Sequence, residues 1–84
     1  MQTRELKTKA HKLEPVVMIG AKGLTEEVLA EIERALKAHE LIKVRAPLER
    51  SERNRVLNAI CERTGARAIQ QVGKVFVIYR KNDA

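Results

Sequence analysis

The sequence predicts an α/β (α+β) domain built on a mixed four-stranded sheet, with elements in the order α-β-α-β-α-β-β. Three observations carry this. Leu24, Val28, Leu29, Ile32, Ala35 and Leu36 recur at helical spacing and form one apolar stripe. Short β-rich runs alternate with helical segments, which implies a partly parallel sheet with helices packed on it. Two adjoining β-rich runs near the C-terminus are separated only by Gly73-Lys74, the spacing of a hairpin. The 84 residues are expected to form one compact domain spanning 1–84.

Taken in order, residues 3–13 fit a short helix, because Leu6, Ala10 and Leu13 fall on one side of it. Pro15 ends that helix, since the residue before a proline avoids the α region. Val16 to Ile19 is a continuous apolar run, the pattern of a strand buried on both faces. Gly20 to Gly23 forms a loop. Thr25 is placed as an N-cap, and Glu26 and Glu27 complement the dipole of a helix that runs to about His39. Leu41 to Arg45 alternates, setting Ile42 and Val44 opposite Lys43 and Arg45, and reads as a half-exposed strand with one basic face. Pro47 marks a turn. Residues 50–64 form a third helix with Val56, Leu57, Ile60 and Cys61 toward the core, stopped by Gly65. Ala66–Val72 and Val75–Tyr79 are the hairpin strands, and residues 81–84 are expected to fray.

Composition narrows the class. Hydrophobic residues make up 44% of the chain, too many for wholesale disorder. The 17 Lys and Arg outweigh the 11 Asp and Glu, for a net charge of +6 and a pI near 9.9. Such an excess in a small domain favours polyanionic partners. The charge is also segregated. Residues 1–23 carry net +3, residues 24–41 net −3 and residues 42–84 net +6. The central helix is acidic and its flanks are basic, which predicts one positive surface and another that turns away from a polyanion.

No apolar run reaches the roughly 20 residues of a membrane span, and no secretory signal follows Met1. A single cysteine, Cys61, excludes an intrachain disulfide. A cytoplasmic protein is expected. His11, His39 and Cys61 have no zinc spacing, and Glu26 and Glu27 serve the helix dipole. No catalytic set, metal, cofactor or small-molecule substrate is expected, and a monomer is.

The most informative stretch is Val16–Thr25. An apolar run ends in two glycines that bracket Ala21 and Lys22, and a helix follows at once. Glycine lets another backbone approach closely. A lysine and free N–H groups before a helix N-terminus form a plausible grip on a phosphate. A bulky or acidic side chain at Gly20 or Gly23 would block that approach.

Several stretches, in this order, resemble the CRM-domain family (chloroplast RNA splicing and ribosome maturation), and most closely its single-domain YhbY-like bacterial members. They are Gly20-Ala21-Lys22-Gly23-Leu24-Thr25, His39-Glu40-Leu41-Ile42-Lys43-Val44-Arg45, and Thr64-Gly65-Ala66, followed by Gln70, Gly73-Lys74 and Tyr79-Arg80. The resemblance runs from about Leu13 to Arg80. It implies a compact RNA-binding domain similar to the C-terminal domain of translation initiation factor three. It implies a GxxG loop that clamps a nucleic-acid backbone as in KH domains, and an association with large ribosomal subunit precursors. Carried over by position, the loop is Gly20, Ala21, Lys22 and Gly23, the basic strand residues are Lys43 and Arg45, and the C-terminal pair is Tyr79 and Arg80. Relatives often place a lysine directly after the first glycine, where this chain has Ala21, and an apolar residue where it has Gln71.

The expected function is binding of ribosomal RNA during large-subunit assembly. The expected contact set is the loop together with Lys9, Lys12, Lys22, Lys43, Arg45 and Arg80 on one surrounding face. Aromatic residues are scarce, Phe76 suits the core, and recognition is therefore expected to rest on shape and backbone. The alternative is a protein-interaction module that docks on a ribosomal protein through Glu27, Glu31 and Glu33.

Overall fold

The computed structural model describes residues 3–82. Helices α1 (Thr3–Ala10), α2 (Glu26–His39) and α3 (Arg50–Thr64) accompany strands β1 (Pro15–Met18), β2 (Leu41–Arg45), β3 (Arg67–Val72) and β4 (Val75–Tyr79). The strands form one sheet in the order β1-β2-β4-β3. β1 is parallel to β2, while β2 and β3 each run antiparallel to β4. β2 and β3 therefore point the same way, and both α2 and α3 are crossovers between parallel strands. This is the compact α+β domain, with a mixed four-stranded sheet, that the sequence predicts.

Both crossover helices lie on one face of the sheet. Ile32 and Leu36 of α2 and Val56 and Ile60 of α3 meet Ile42, Val44, Phe76 and Ile78 in the main core. On the other face α1 covers only part of the sheet, where Leu6 and Ala10 pack on Leu41, Ile69, Val77 and Tyr79. Removing this apolar area from water is the main stabilising term, at about 25 cal/mol per Å².

Local chemistry sets the ends of the elements. Thr25 is extended, and its Oγ1 accepts the Val28 N–H at 3.2 Å, which caps α2. Gly65 takes the left-handed conformation after α3 and donates its N–H to Cys61 O at 2.9 Å. The buried Thr64 hydroxyl donates to Ile60 O at 2.7 Å and accepts the Ala66 N–H at 3.1 Å. The hairpin turn has Gly73 at φ +57°, the first of its two loop residues and the place a II′ turn reserves for glycine.

Four boundaries differ from the sequence reading. The first helix ends at Ala10 rather than 13, because the Lys12 and Leu13 N–H groups bond to carbonyls three residues back and tighten the final turn. β1 takes in Pro15 and is not buried on both faces. Val17 and Ile19 enter the main core, but Val16 is 50% and Met18 62% exposed. β1 is an edge strand, a place where proline is tolerated, and α1 does not reach over it. β3 begins at Arg67 because Ala66 is engaged with Thr64.

The fourth difference is at the C-terminus. Asn82 does not fray: its backbone N–H donates to the Glu40 carboxylate at 2.8 Å and its amide donates to Lys37 O at 2.8 Å, closing the end of α2. Residues 83–84 lie outside the described residues. Replacing Asn82 by Ala is expected to lower stability by about 1 kcal/mol. The check is the midpoint of urea unfolding at an unchanged slope, and an unshifted midpoint contradicts this cap.

Candidate nucleic-acid interface

β1 ends beside the last residue of β2, and the Ile19 N–H donates to Arg45 O at 2.8 Å. The chain then turns through Gly20–Gly23 into α2. The Gly23 N–H donates to Gly20 O at 2.9 Å and closes a tight turn around Ala21 and Lys22. That N–H is therefore spent inside the fold. Among the described residues, no hydrogen bond uses the N–H groups of Ala21, Lys22 or Leu24. The two glycines are not equivalent. Gly23 sits at φ +76°, where a side chain is strained, whereas Gly20 has an ordinary φ. A Cβ on Gly20 would meet nothing within 4 Å.

The hollow at this loop is lined by Gly20, Lys22 and Gly23 and also by Glu26 and Glu27. The same acids that favour the helix N-terminus thus share the space a phosphate would enter. Glu26 is drawn aside by Arg63, at 3.2 Å, in an ion pair whose partners are both exposed. Such a pair adds little stability.

Arg45, Lys43 and the loop come together as expected. Arg45 is paired with Met18 on one side and Val75 on the other, so it stands beside the loop. Lys43 lies one step down the same face and lines a groove with His11. Lys9 and Lys12 are exposed on α1 and the turn after it, on that same side of the sheet.

Arg80 does not join this group. It follows Tyr79, which pairs with Leu41 at the opposite end of β2, and its side chain points into the helical layer. Its guanidinium donates to Glu33 at 3.0 Å and to Thr64 O at 2.9 Å. It is a half-buried clasp between α2 and the end of α3. The expectation that Arg80 shares a face around the loop is corrected accordingly; a single guanidinium that satisfies both a carboxylate and a helix-end carbonyl is held inward. Glu33 is engaged by the same bond, leaving Glu27 and Glu31 as the free acids of the face proposed for protein docking.

Three cations outside the expected contact set, Lys74, Arg50 and Arg53, lie at the same end of the sheet as the loop. Lys74 lies in the hairpin turn, and its carbonyl accepts the Ala46 N–H at 2.7 Å, which brings it to the Arg45 end of β2. Arg50 and Arg53 line a polar hollow with Gln71 and Gly73 at the same turn. Gln71 is exposed there, consistent with its departure from the apolar residue usual in relatives. Periodicity could not have found these contacts, because they join segments far apart in the chain.

Cys61 packs against the main core. Burial pushes its thiol up, and a backbone hydrogen bond involving Ala68 pulls it part of the way back. The protonated thiol is thus favoured at neutral pH. Among the described residues no group of three His, Cys, Asp or Glu is placed to hold a metal ion, and no helix is long and apolar enough to cross a membrane.

A small α+β domain with one open, basic sheet face beside a glycine-bracketed loop is the class these features define. The sequence matches the CRS1 / YhbY (CRM) domain family over residues 1–80, and the chain belongs to that family. It is 49% identical over 83 residues to a Haemophilus influenzae protein named as RNA-binding, covering 98% of this chain and 84% of that one. It is 45% identical over 82 residues to a Pseudomonas aeruginosa protein named as a probable RNA-binding protein, covering 96% of this chain and 79% of that one. The solution structure of a Staphylococcus aureus protein, described as hypothetical and as a candidate RNA binder, superposes with a TM-score of 0.86 at 30% identity. That match covers 99% of this chain and 88% of the other.

The different demands on the two glycines have a direct check. Gly23→Ala should cost about 1 kcal/mol of folding stability, and Gly20→Ala close to none. Thermal unfolding of the two variants side by side measures this, and equal losses would contradict the turn geometry. The Cys61 thiol should react with a disulfide reagent more slowly than a free cysteine at neutral pH, and the rate should climb as pH rises toward its raised pKa.

Proposed function

We propose that this protein binds RNA through its GxxG loop and the adjoining basic sheet face, and that its target is ribosomal RNA of the large-subunit precursor. The observation that carries the reading is Gly20. Neither its φ nor its surroundings ask for a glycine, and it is exposed beside Lys22 and Arg45. An absent side chain at an open surface is explained by a backbone that comes close from outside. The names of the relatives, which describe RNA-binding proteins, point to RNA as the source of that backbone.

The mechanism is electrostatic positioning. A phosphate meets the free N–H groups of Ala21 and Lys22 while the lysine ammonium and Arg45 supply charge. Lys43, Lys12 and Lys9 extend the positive field along the same side of the sheet. Contacts of this kind set affinity and register and read little sequence. The acidic residues Glu27 and Glu31 lie on α2, in the layer on the other side of the sheet. They face away from the polyanion, except where Glu27 reaches the loop. In large-subunit precursors, neutralising phosphates in this way would help a segment of RNA hold its folded shape during assembly.

Three outcomes are expected. The logarithm of affinity for structured RNA should fall linearly with the logarithm of salt concentration, with a slope magnitude of roughly 0.7–0.9 per phosphate contacted; salt-insensitive binding refutes the electrostatic account. Gly20→Asp should weaken binding by tenfold or more, on the order of 1.4 kcal/mol, in a domain that stays folded. Glu27→Gln should strengthen binding, most at low salt, because it removes a like charge from the phosphate's path. Filter binding or fluorescence anisotropy measures all three. Sedimentation of lysate with and without nuclease then tests the ribosomal target, which fails if the protein never travels with large-subunit particles.

A further inference from the structure

The face of the sheet opposite α2 and α3 has a graded composition. Strand pairing divides it into rungs. The rung nearest the loop is Met18, Arg45, Val75 and Val72, one residue from each strand. The next holds Lys43, Val77 and Gln70, with Pro15 at the β1 edge. The rung at the far end, Leu41, Tyr79 and Arg67, is where α1 lies. α1 ends at Ala10, which still packs on Val77 of the second rung, so the rung nearest the loop is left open and the second only in part.

The open rungs are apolar where a solvated sheet face would be polar. Met18 and Val72 are each 62% exposed, and Val16 is 50% exposed beside them. Between the outer strands runs a groove of about 330 Å³ whose floor is Val75 and Val77 and whose polar points are His11, Lys43 and Gln70. Single exposed apolar residues on a surface are ordinary. Here Met18 and Val72 share one rung with Arg45 and Val75, and Val72 and Val75 border the groove beside Lys43; apolar residues grouped in this way mark a binding surface.

We infer that this uncovered sheet face seats unpaired nucleobases of the same RNA whose backbone the loop holds. The inference rests on the RNA reading above and adds to it which part of the RNA lies here. The ligand must present flat apolar surface together with negative charge, because Met18, Val72 and Val75 offer van der Waals area while Lys43 and Arg45 stand among them. Unpaired nucleotides do this: the base lies on the aliphatic floor and its phosphate meets the rim. The face has no exposed aromatic ring other than the half-buried Tyr79, so the bases are held by aliphatic packing. The flexible, polarizable thioether of Met18 is suited to ring edges and faces of varied shape. Gln70 gives the floor one amide that can both donate to and accept from a base edge.

The position fits the loop. Met18 is two residues before Gly20, so a backbone gripped at the loop arrives directly over the Met18 end of the sheet. The four strands span about 14 Å at the usual strand spacing, enough for a short run of splayed nucleotides. A paired duplex, whose bases are stacked inward, would offer only its backbone.

The test compares a hairpin RNA carrying an unpaired loop with a fully paired duplex of the same number of phosphates. Wild type, Met18→Ser, Met18→Leu and Gly20→Asp are titrated against both, and sedimentation reports their oligomeric state. Met18→Ser is expected to weaken hairpin binding about three- to tenfold. It should leave duplex binding and the salt slope unchanged, because no charge is lost, and Met18→Leu should restore the affinity. Unchanged hairpin affinity in Met18→Ser, with Gly20→Asp still impaired, overturns the base seat and leaves the loop reading standing; an acidic protein segment would then be the better occupant. Equal losses on hairpin and duplex overturn it as well. A wild-type dimer dissolved by Met18→Ser with RNA affinity intact assigns the face to a second copy of the chain. Absence of RNA binding by wild type brings down both readings together.

Discussion

The parallel pairing of β1 with β2 is the constraint from which the rest of the arrangement follows. Two parallel neighbours cannot be joined by a tight turn, so the chain must cross back over the sheet, and α2 is that crossing. β2 and β3 repeat the requirement across β4, and α3 answers it on the same face. With both crossovers on one side, that side becomes the main core. The other side receives only the eight residues of α1, which are too few to cover four strands. The same topology puts the ends of β1 and β2 together, so the glycine loop, Arg45 and the hairpin turn share one end of the sheet. Crevices at the carboxyl ends of parallel strands are where open sheets commonly bind ligands.

The opposite end of the sheet is closed by a network of polar contacts. Arg80 joins Glu33 to the Thr64 carbonyl, Thr64 completes the end of α3, and Asn82 completes the end of α2. Glu40 stands at the centre with a φ of 63°, a conformation that L-residues rarely adopt. It is held there because its N–H, its carbonyl and one carboxylate oxygen are all engaged. Its N–H donates to Leu36 O, its carbonyl accepts the Arg80 N–H, and its carboxylate accepts the Asn82 N–H. The strain is local and the bonds that sustain it come from the C-terminal segment. Function and rigidity are thus divided between the two ends of the strands. One end has open backbone and, among the described residues, Lys43 and Arg45 without an ion-pair partner; at the other Arg80 is engaged by Glu33 and the Thr64 carbonyl.

Charge follows the same division. Of the acids of α2, Glu26 and Glu27 favour the helix N-terminus and Glu33 pairs with Arg80, in the layer away from Lys43 and Arg45. The conflict at Glu27, which favours the helix and repels an anion at the loop, limits how strongly the loop can attract a phosphate. The sheet face supplies the balance, since it adds the charges of the half-buried Lys43 and the exposed Arg45.

Much of this was legible in the chain itself. The helical stripe of α2, its Thr25 cap, the Gly65 stop, the alternation of β2 and the Gly73-Lys74 hairpin are local properties, governed by backbone sterics and side-chain spacing over a few residues. The glycine loop and the pairing of Lys43 with Arg45 on one face are equally local, and so is the family resemblance that they carry. What depended on the tertiary structure was every property set by a neighbour distant in sequence. The apolar run of β1 resembles a fully buried strand, yet half of it is exposed because its place at the sheet edge is decided by the crossover and not by its own residues. Arg80 is an ordinary exposed cation by composition and a half-buried clasp by position. Asn82 belongs to a tail that reads as loose and becomes a helix cap because α2 ends beside it. A residue's own chemistry sets what contacts it can make, and only the packing of remote segments decides which of them it makes.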